Sequence, residues 1–158
     1  MKKLFTLIML FGIIGCNSSG VVSEANVKKA LDIAYNETKN FNMGYGTSPI
    51  EFKVYLIRQY LNEQKYRNNM ECTILDMSDV EGKKSTRACL LKGVDIDKEG
   101  KEDPKNVLVM AIKNETNKDI VILMFFENAE KTENGYKYSS LMPIGILVNL
   151  ATQKIGDI

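Results

Sequence analysis

VLVMAI at residues 107–112 and IVILMFF at residues 120–126 decide how this chain folds. Both runs are short and rich in β-branched or aromatic residues, as strands are. Between them Asn114-Glu-Thr-Asn117 supplies turn residues, so the two runs read as an antiparallel hairpin. Neither run alternates apolar with polar. Consecutive apolar residues mean burial on both faces, which places this hairpin at the centre of a sheet. With Lys113 facing Lys118, Val109 opposes Ile122 and Met110 opposes Val121. One face then carries Val107, Val109 and Ala111 with Ile120, Ile122 and Met124. The other carries Leu108, Met110 and Ile112 with Val121 and Leu123. Each face needs a cover.

Upstream the period changes from strand to helix. Ser23 is a candidate N-cap, and Val27, Leu31, Ala34, Tyr35, Thr38 and Phe41 fall on one helical face. Two glycines in residues 41–47 (FNMGYGT) break that pattern. Ser48-Pro49-Ile50-Glu51 restarts it, because Ser at the cap, Pro at the first position and Glu at the third form a capping box. The second helix is expected to run to about Tyr66, with Ile50, Val54, Ile57 and Leu61 on its stripe and Phe52, Leu56 and Tyr60 widening it. Two helices can cover one face of the central hairpin. The second face is assigned to the C-terminal segment, whose Ile144, Ile146, Leu147 and Val148 also need burial. That segment, 144–150, reads as a strand or a short helix, followed by a turn at 151–154. Residues 136–140 alternate and read as an edge strand after the Asn134-Gly135 turn.

Cys72 and Cys89 belong to an earlier hairpin, formed by residues 72–77 and 86–91, the second strand extending toward Ile96. If Ser78 faces Lys83 across the SDVEGK loop, Cys72 stands opposite Cys89. An antiparallel pair without mutual hydrogen bonds brings its Cα atoms to about 4.5 Å, within disulfide reach. A Cys72–Cys89 disulfide is therefore expected, and disulfides belong to oxidising compartments.

The first residues read as an address. Lys2 and Lys3 precede an apolar run at 4–14 that ends in Ile13-Ile14-Gly15-Cys16. The run is well short of the roughly 20 residues a spanning helix needs, so it is a secretory signal. Ile-Ile-Gly-Cys resembles the lipobox of bacterial lipoprotein precursors. The resemblance covers only the leader and Asn17. It implies a signal peptide at residues 1–15, cut before Cys16, a diacylglycerol on the Cys16 thiol, and an acyl chain such as palmitate on the new amino group. Residues 16–22 then form the lipidated cysteine and a short tether, and residues 23–158 a single domain. The lipid bilayer, reached through acylated Cys16, becomes the first partner. Asn17 is not the Asp associated with inner-membrane retention, which tilts the location toward the outer membrane where the bacterium has one.

Composition narrows the chemistry. Cutting after Gly15 leaves 143 residues, enough for one domain, with 19 basic against 20 acidic side chains. With its lysines interleaved with acids, the chain shows no basic footprint for nucleic acid. It has no His and no Trp. The missing His removes the commonest general base and the commonest metal ligand, so no enzyme, catalytic residue or cofactor is expected. Asp95, Asp97 and Glu99 before Gly100 resemble the front of an EF-hand calcium loop, but Asn106 stands where its bidentate Glu belongs. They read as a solvated acidic loop. Gly44 and Gly46 lack the remaining glycines and the Lys of a phosphate loop. Glu127, Glu130, Glu133 and Asp119 have no spacing that pairs them for glycoside hydrolysis.

The expectation is an α+β domain, two N-terminal amphipathic helices on an antiparallel β-meander. Its element order is similar to that of cystatin-like folds. The functional expectation is a membrane-anchored lipoprotein of the cell envelope, a non-catalytic interaction or assembly module with an envelope protein partner. A small-ligand carrier with a cavity between helices and sheet is the alternative. A filled core with an exposed apolar sheet face favours the first, and an empty apolar cavity the second.

Overall fold

The structure is a computed structural model and describes residues 20–41, 48–61, 70–76, 85–94, 103–139 and 144–158. Its first helix, α1 (Glu24–Thr38), starts where expected: the Ser23 side chain accepts from the Asn26 N–H at 3.2 Å. Val27, Ala30, Leu31, Ile33 and Ala34 are buried along its inner face. Thr38 is buried too, and its hydroxyl donates to the Ala34 carbonyl at 2.7 Å, so the helix absorbs its own polar atom.

Helix α2 (Pro49–Tyr60) carries the full capping box. The Ser48 N–H donates to Glu51 Oε2 at 2.6 Å, and the Glu51 N–H donates to Ser48 Oγ at 3.4 Å. Ile57, Tyr60 and Leu61 are buried, but the expected stripe does not hold at the start of the helix: Ile50 is 46% exposed and Phe52 38%. The first turns of α2 lie at the margin of the sheet, where Lys53 pairs with Asp157 of the last strand at 2.6 Å. The helix is described to Tyr60 with Leu61 as its C-cap, and the expected extension to Tyr66 lies outside the described residues.

Among the described residues eight strands follow: β1 (Met70–Leu75), β2 (Thr86–Val94), β3 (Lys105–Lys113), β4 (Ile120–Phe126), β5 (Glu130–Thr132), β6 (Gly135–Lys137), β7 (Ile144–Asn149) and β8 (Lys154–Asp157). Six form one antiparallel sheet in the order β1-β2-β3-β4-β7-β8, and β5 pairs with β6 separately. The α+β architecture with N-terminal helices and a meander is as expected. So is the register of β1 and β2, with Cys72 opposite Cys89. Between Leu91 and Val94 the β2–β3 register slips. Gly93 takes φ +65° there, and the Asn106 side chain accepts its N–H at 3.1 Å.

The central hairpin differs from the expected register. Val109 opposes Phe125 rather than Ile122, and Met110 opposes Met124 rather than Val121. The cause is the turn. Asn114 Oδ1 accepts from the Thr116 N–H, the Thr116 hydroxyl and the Asn117 N–H, all within 2.9 Å. Asn117 accepts from the Asp119 N–H in turn, and the Asn114 N–H closes the loop on the Ile120 carbonyl at 3.3 Å. The turn is longer than four residues, and the slip is odd, so β4 is flipped. Val107, Val109 and Ala111 share their face with Val121, Leu123 and Phe125.

That face meets the helices and holds the main core, to which Ile144, Ile146 and Val148 of β7 contribute. The C-terminal segment is thus a strand beside β4 in the same sheet, not a cover for the second face. Antiparallel pairing lets β7 bury its alternate residues under the helices without a crossover. The second face is covered in part by the 127–139 segment. Ala129 and Tyr136 pack against Ala88, Leu90, Leu108 and Met110, and Tyr138 lies 4.6 Å from Phe126, ring to ring. The residues expected to form an edge strand therefore belong to a separate small hairpin. After β7, Asn149 Oδ1 accepts from the Ala151 and Thr152 N–H groups, each at 3.0 Å, and turns the chain into β8.

Candidate functional site

The hairpin β5–β6 lies over the β1–β3 side of the second face, with its Gly135 beside Leu75. Beside it, Ile112, Ile122, Leu147 and Gly156 stand in one cross-strand row over β3, β4, β7 and β8. Ile112 is 39% exposed, while Ile122 and Leu147 are half-buried. In the adjoining row Ile158 folds over Gly145: a methyl at Gly145 would lie 2.4 Å from Ile158 Cδ1 and 2.6 Å from Met124 Sδ. Gly145 is the depression that lets these two side chains sit there. Ile158 itself remains 59% exposed. The described residues thus present a continuous apolar patch, with no charged side chain inside the Ile112–Ile122–Leu147 row.

Charged groups gather elsewhere. Glu71 bridges Lys92 at 2.9 Å and Lys131 at 3.0 Å, and hydrogen bonds from these ammonium groups hold its carboxyl down at about 2. This exposed cluster ties β1 and β2 to the β5–β6 hairpin. At the helix–sheet boundary the Tyr60 hydroxyl donates to Glu127 Oε1 at 2.7 Å, and Lys105 lies 3.8 Å from Glu127 Oε2. Burial first, and the Glu127 carboxylate second, push the Tyr60 phenol well above its ordinary range. Tyr60 also stacks on Phe125 with ring centroids 5.6 Å apart. Its role is to lock α2 onto β4. A phenol held neutral against a carboxylate already bound by Lys105 is a structural arrangement.

Of the residues singled out by sequence, Cys72 and Cys89 form a disulfide with Cα atoms 4.0 Å apart. Cys16 lies outside the described residues, as do Asp95, Asp97, Glu99, Gly44 and Gly46. Asn106 is described, and its side-chain oxygen is engaged by Gly93. Among the described residues no three His, Cys, Asp or Glu side chains are grouped to hold a metal ion, and no helix is long and apolar enough to cross a membrane. Of the carboxylates, Glu127 is bound by Tyr60 and Lys105, while Glu130 and Glu133 are exposed on the small hairpin.

Between helices and sheet, Leu31, Ile57, Leu61, Leu123 and Phe125 meet with no exposed surface. Among the described residues every buried side-chain nitrogen or oxygen has a hydrogen-bond partner. No family model, no curated protein and no solved structure matches the chain.

Proposed function

We propose that this chain is a lipoprotein precursor, anchored to an envelope membrane through acylated Cys16, and that its mature domain is a non-catalytic interaction module. The observation that carries the second part is the apolar row Ile112–Ile122–Leu147, exposed at Ile112 and half-buried at the other two, on the sheet face opposite the main core. Burying such a row against another surface removes apolar area from water, at about 25 cal/mol per Å². The leader ending in Ile-Ile-Gly-Cys supports the first part, and the Cys72–Cys89 disulfide fits an oxidising compartment outside the cytoplasm. The carrier reading draws no support from the closely packed helix–sheet interface.

Metabolic labelling with an alkyne fatty acid tests the anchor. The native chain should incorporate label and the Cys16→Ser variant should not. Equal labelling of both chains would remove Cys16 from the proposal.

A further inference from the structure

We infer that the partly exposed row Ile112–Ile122–Leu147 rests on the surface of the bilayer that carries the lipid anchor, a reading that depends on the acylation of Cys16 proposed above. The tether enters the domain at Val22. Val22 is buried, 5% exposed, and its carbonyl accepts from Arg87 Nε at 3.0 Å. Arg87 is in register with Ala111 of β3, and Ala111 with Leu123 of β4. The pair Ile112–Ile122 is the next one toward the same end of the sheet, on the opposite face. Tether and patch therefore share one end of the domain.

Distance makes this placement decisive. From Cys16 to Val22 the chain can reach about 20 Å even when extended. Arg87 and Ile112 sit on adjacent strands, about 5 Å apart, on the two sides of a sheet layer about 10 Å thick. The path from tether to patch is within reach of the anchor. The far ends of the strands lie a further 20 Å or so away, since β3 rises about 3.4 Å per residue. Of the two ends, the one with the apolar row is held at the membrane.

Charge does not carry the contact. The turn beside the patch bears Lys113 and Lys118 but also Glu115 and Asp119, and Lys154 nearby pairs with Glu37 at 3.2 Å. The attraction is apolar, a shallow insertion of Ile112, Ile122 and Leu147 at the boundary of headgroups and acyl chains. It should therefore persist on zwitterionic lipid and at high salt.

The chain contains no Trp, so a single introduced indole reports without background. Mature protein carrying Ile112→Trp or Leu147→Trp would be reconstituted in phosphatidylcholine vesicles with brominated acyl chains. Phe52→Trp, on the helix layer, is the control. Loss of most emission at positions 112 and 147, with position 52 spared, is the expected result. Two reporters guard against one substitution disturbing the fold. Acylated protein that floats with the vesicles yet shows no quenching at either position overturns the docking and leaves the anchor standing. Blue-shifted but unquenched indoles put a second copy or another protein on the row, and equal quenching at all three positions denies the face any preference; either result overturns the proposal. Protein that carries no acyl chain and does not float overturns both readings.

Discussion

Tyr60→Phe should cost about 1.5 kcal/mol at neutral pH, and that cost should vanish and then reverse in alkali. The substitution keeps the ring, and with it the stack on Phe125, and deletes only the hydroxyl that donates to Glu127 at 2.7 Å. A hydrogen bond to a charged acceptor contributes about 1.5–3 kcal/mol. The lower end applies because the Glu127 side chain is 29% exposed and keeps Lys105 as a neighbour, so it is not stranded in the variant. Alkali adds a second effect with a definite sign. The folded state holds the Tyr60 phenol well above its ordinary value near 10, chiefly by burial. Above pH 10 the unfolded chain releases this proton while the folded chain keeps it. The unfolded state is favoured by up to about 1.4 kcal/mol per pH unit. Tyr60 therefore stabilises the fold fully below pH 10 and progressively less above it.

Phenylalanine has no proton to lose, so the native and variant stabilities should cross near pH 11, where about one unit of linkage offsets the lost hydrogen bond. Urea unfolding followed by far-ultraviolet circular dichroism, from about pH 7 to about pH 11.5, measures both effects on the two proteins side by side. Lysines and the other tyrosines titrate in both proteins and cancel in the difference. A gap between the two stabilities that stays constant across this range refutes the account of Tyr60 as a buried, neutral donor.

Two further outcomes test the sheet. Replacing Cys72 and Cys89 together by Ala should lower stability by about 3 kcal/mol, the chain-entropy value for a link with sequence separation 17; two thiols that react with iodoacetamide in the unreduced native protein would contradict the bridge. Leu123→Ala, on the helix face with no exposed surface, should cost about 3 kcal/mol, and Ile122→Ala, half-buried on the other face, about 1 kcal/mol. Chemical denaturation of the two variants reads this directly, and the opposite order would return β4 to the shorter-turn register.

What the sequence made legible was local. Ser23 and Ser48 announce helix starts because capping is decided within four residues, and the two helices begin where those caps place them. The β1–β2 register could be found because a symmetric loop and a pair of cysteines give the same answer. Position in space was harder. Ile50 and Phe52 continue the helical stripe, yet they stay exposed, on a helix start that pairs with the last strand through Lys53. In β7 the residues that face the core, Ile144, Ile146 and Val148, do alternate, but Leu147 between them hides the period. An apolar run of that kind fits a cover and a sheet strand equally well.

The apolar row was not legible at all, and the reason lies in Asn114. Ile112, Ile122 and Leu147 come from three strands, and each alone looks like an ordinary core residue. Only the register makes them neighbours. That register depends on one side-chain oxygen gathering three donors from the turn, which no count of polar residues between two apolar runs can reveal. A turn shorter by an odd number of residues would have sent Ile120, Ile122 and Met124 under the helices and left Val121, Leu123 and Phe125 on the open face. Phe125 would then have lost its place against Tyr60, one of the contacts that fasten α2 to the sheet. The same small polar turn thus decides which side of β4 builds the main core under the helices and which side faces away from them.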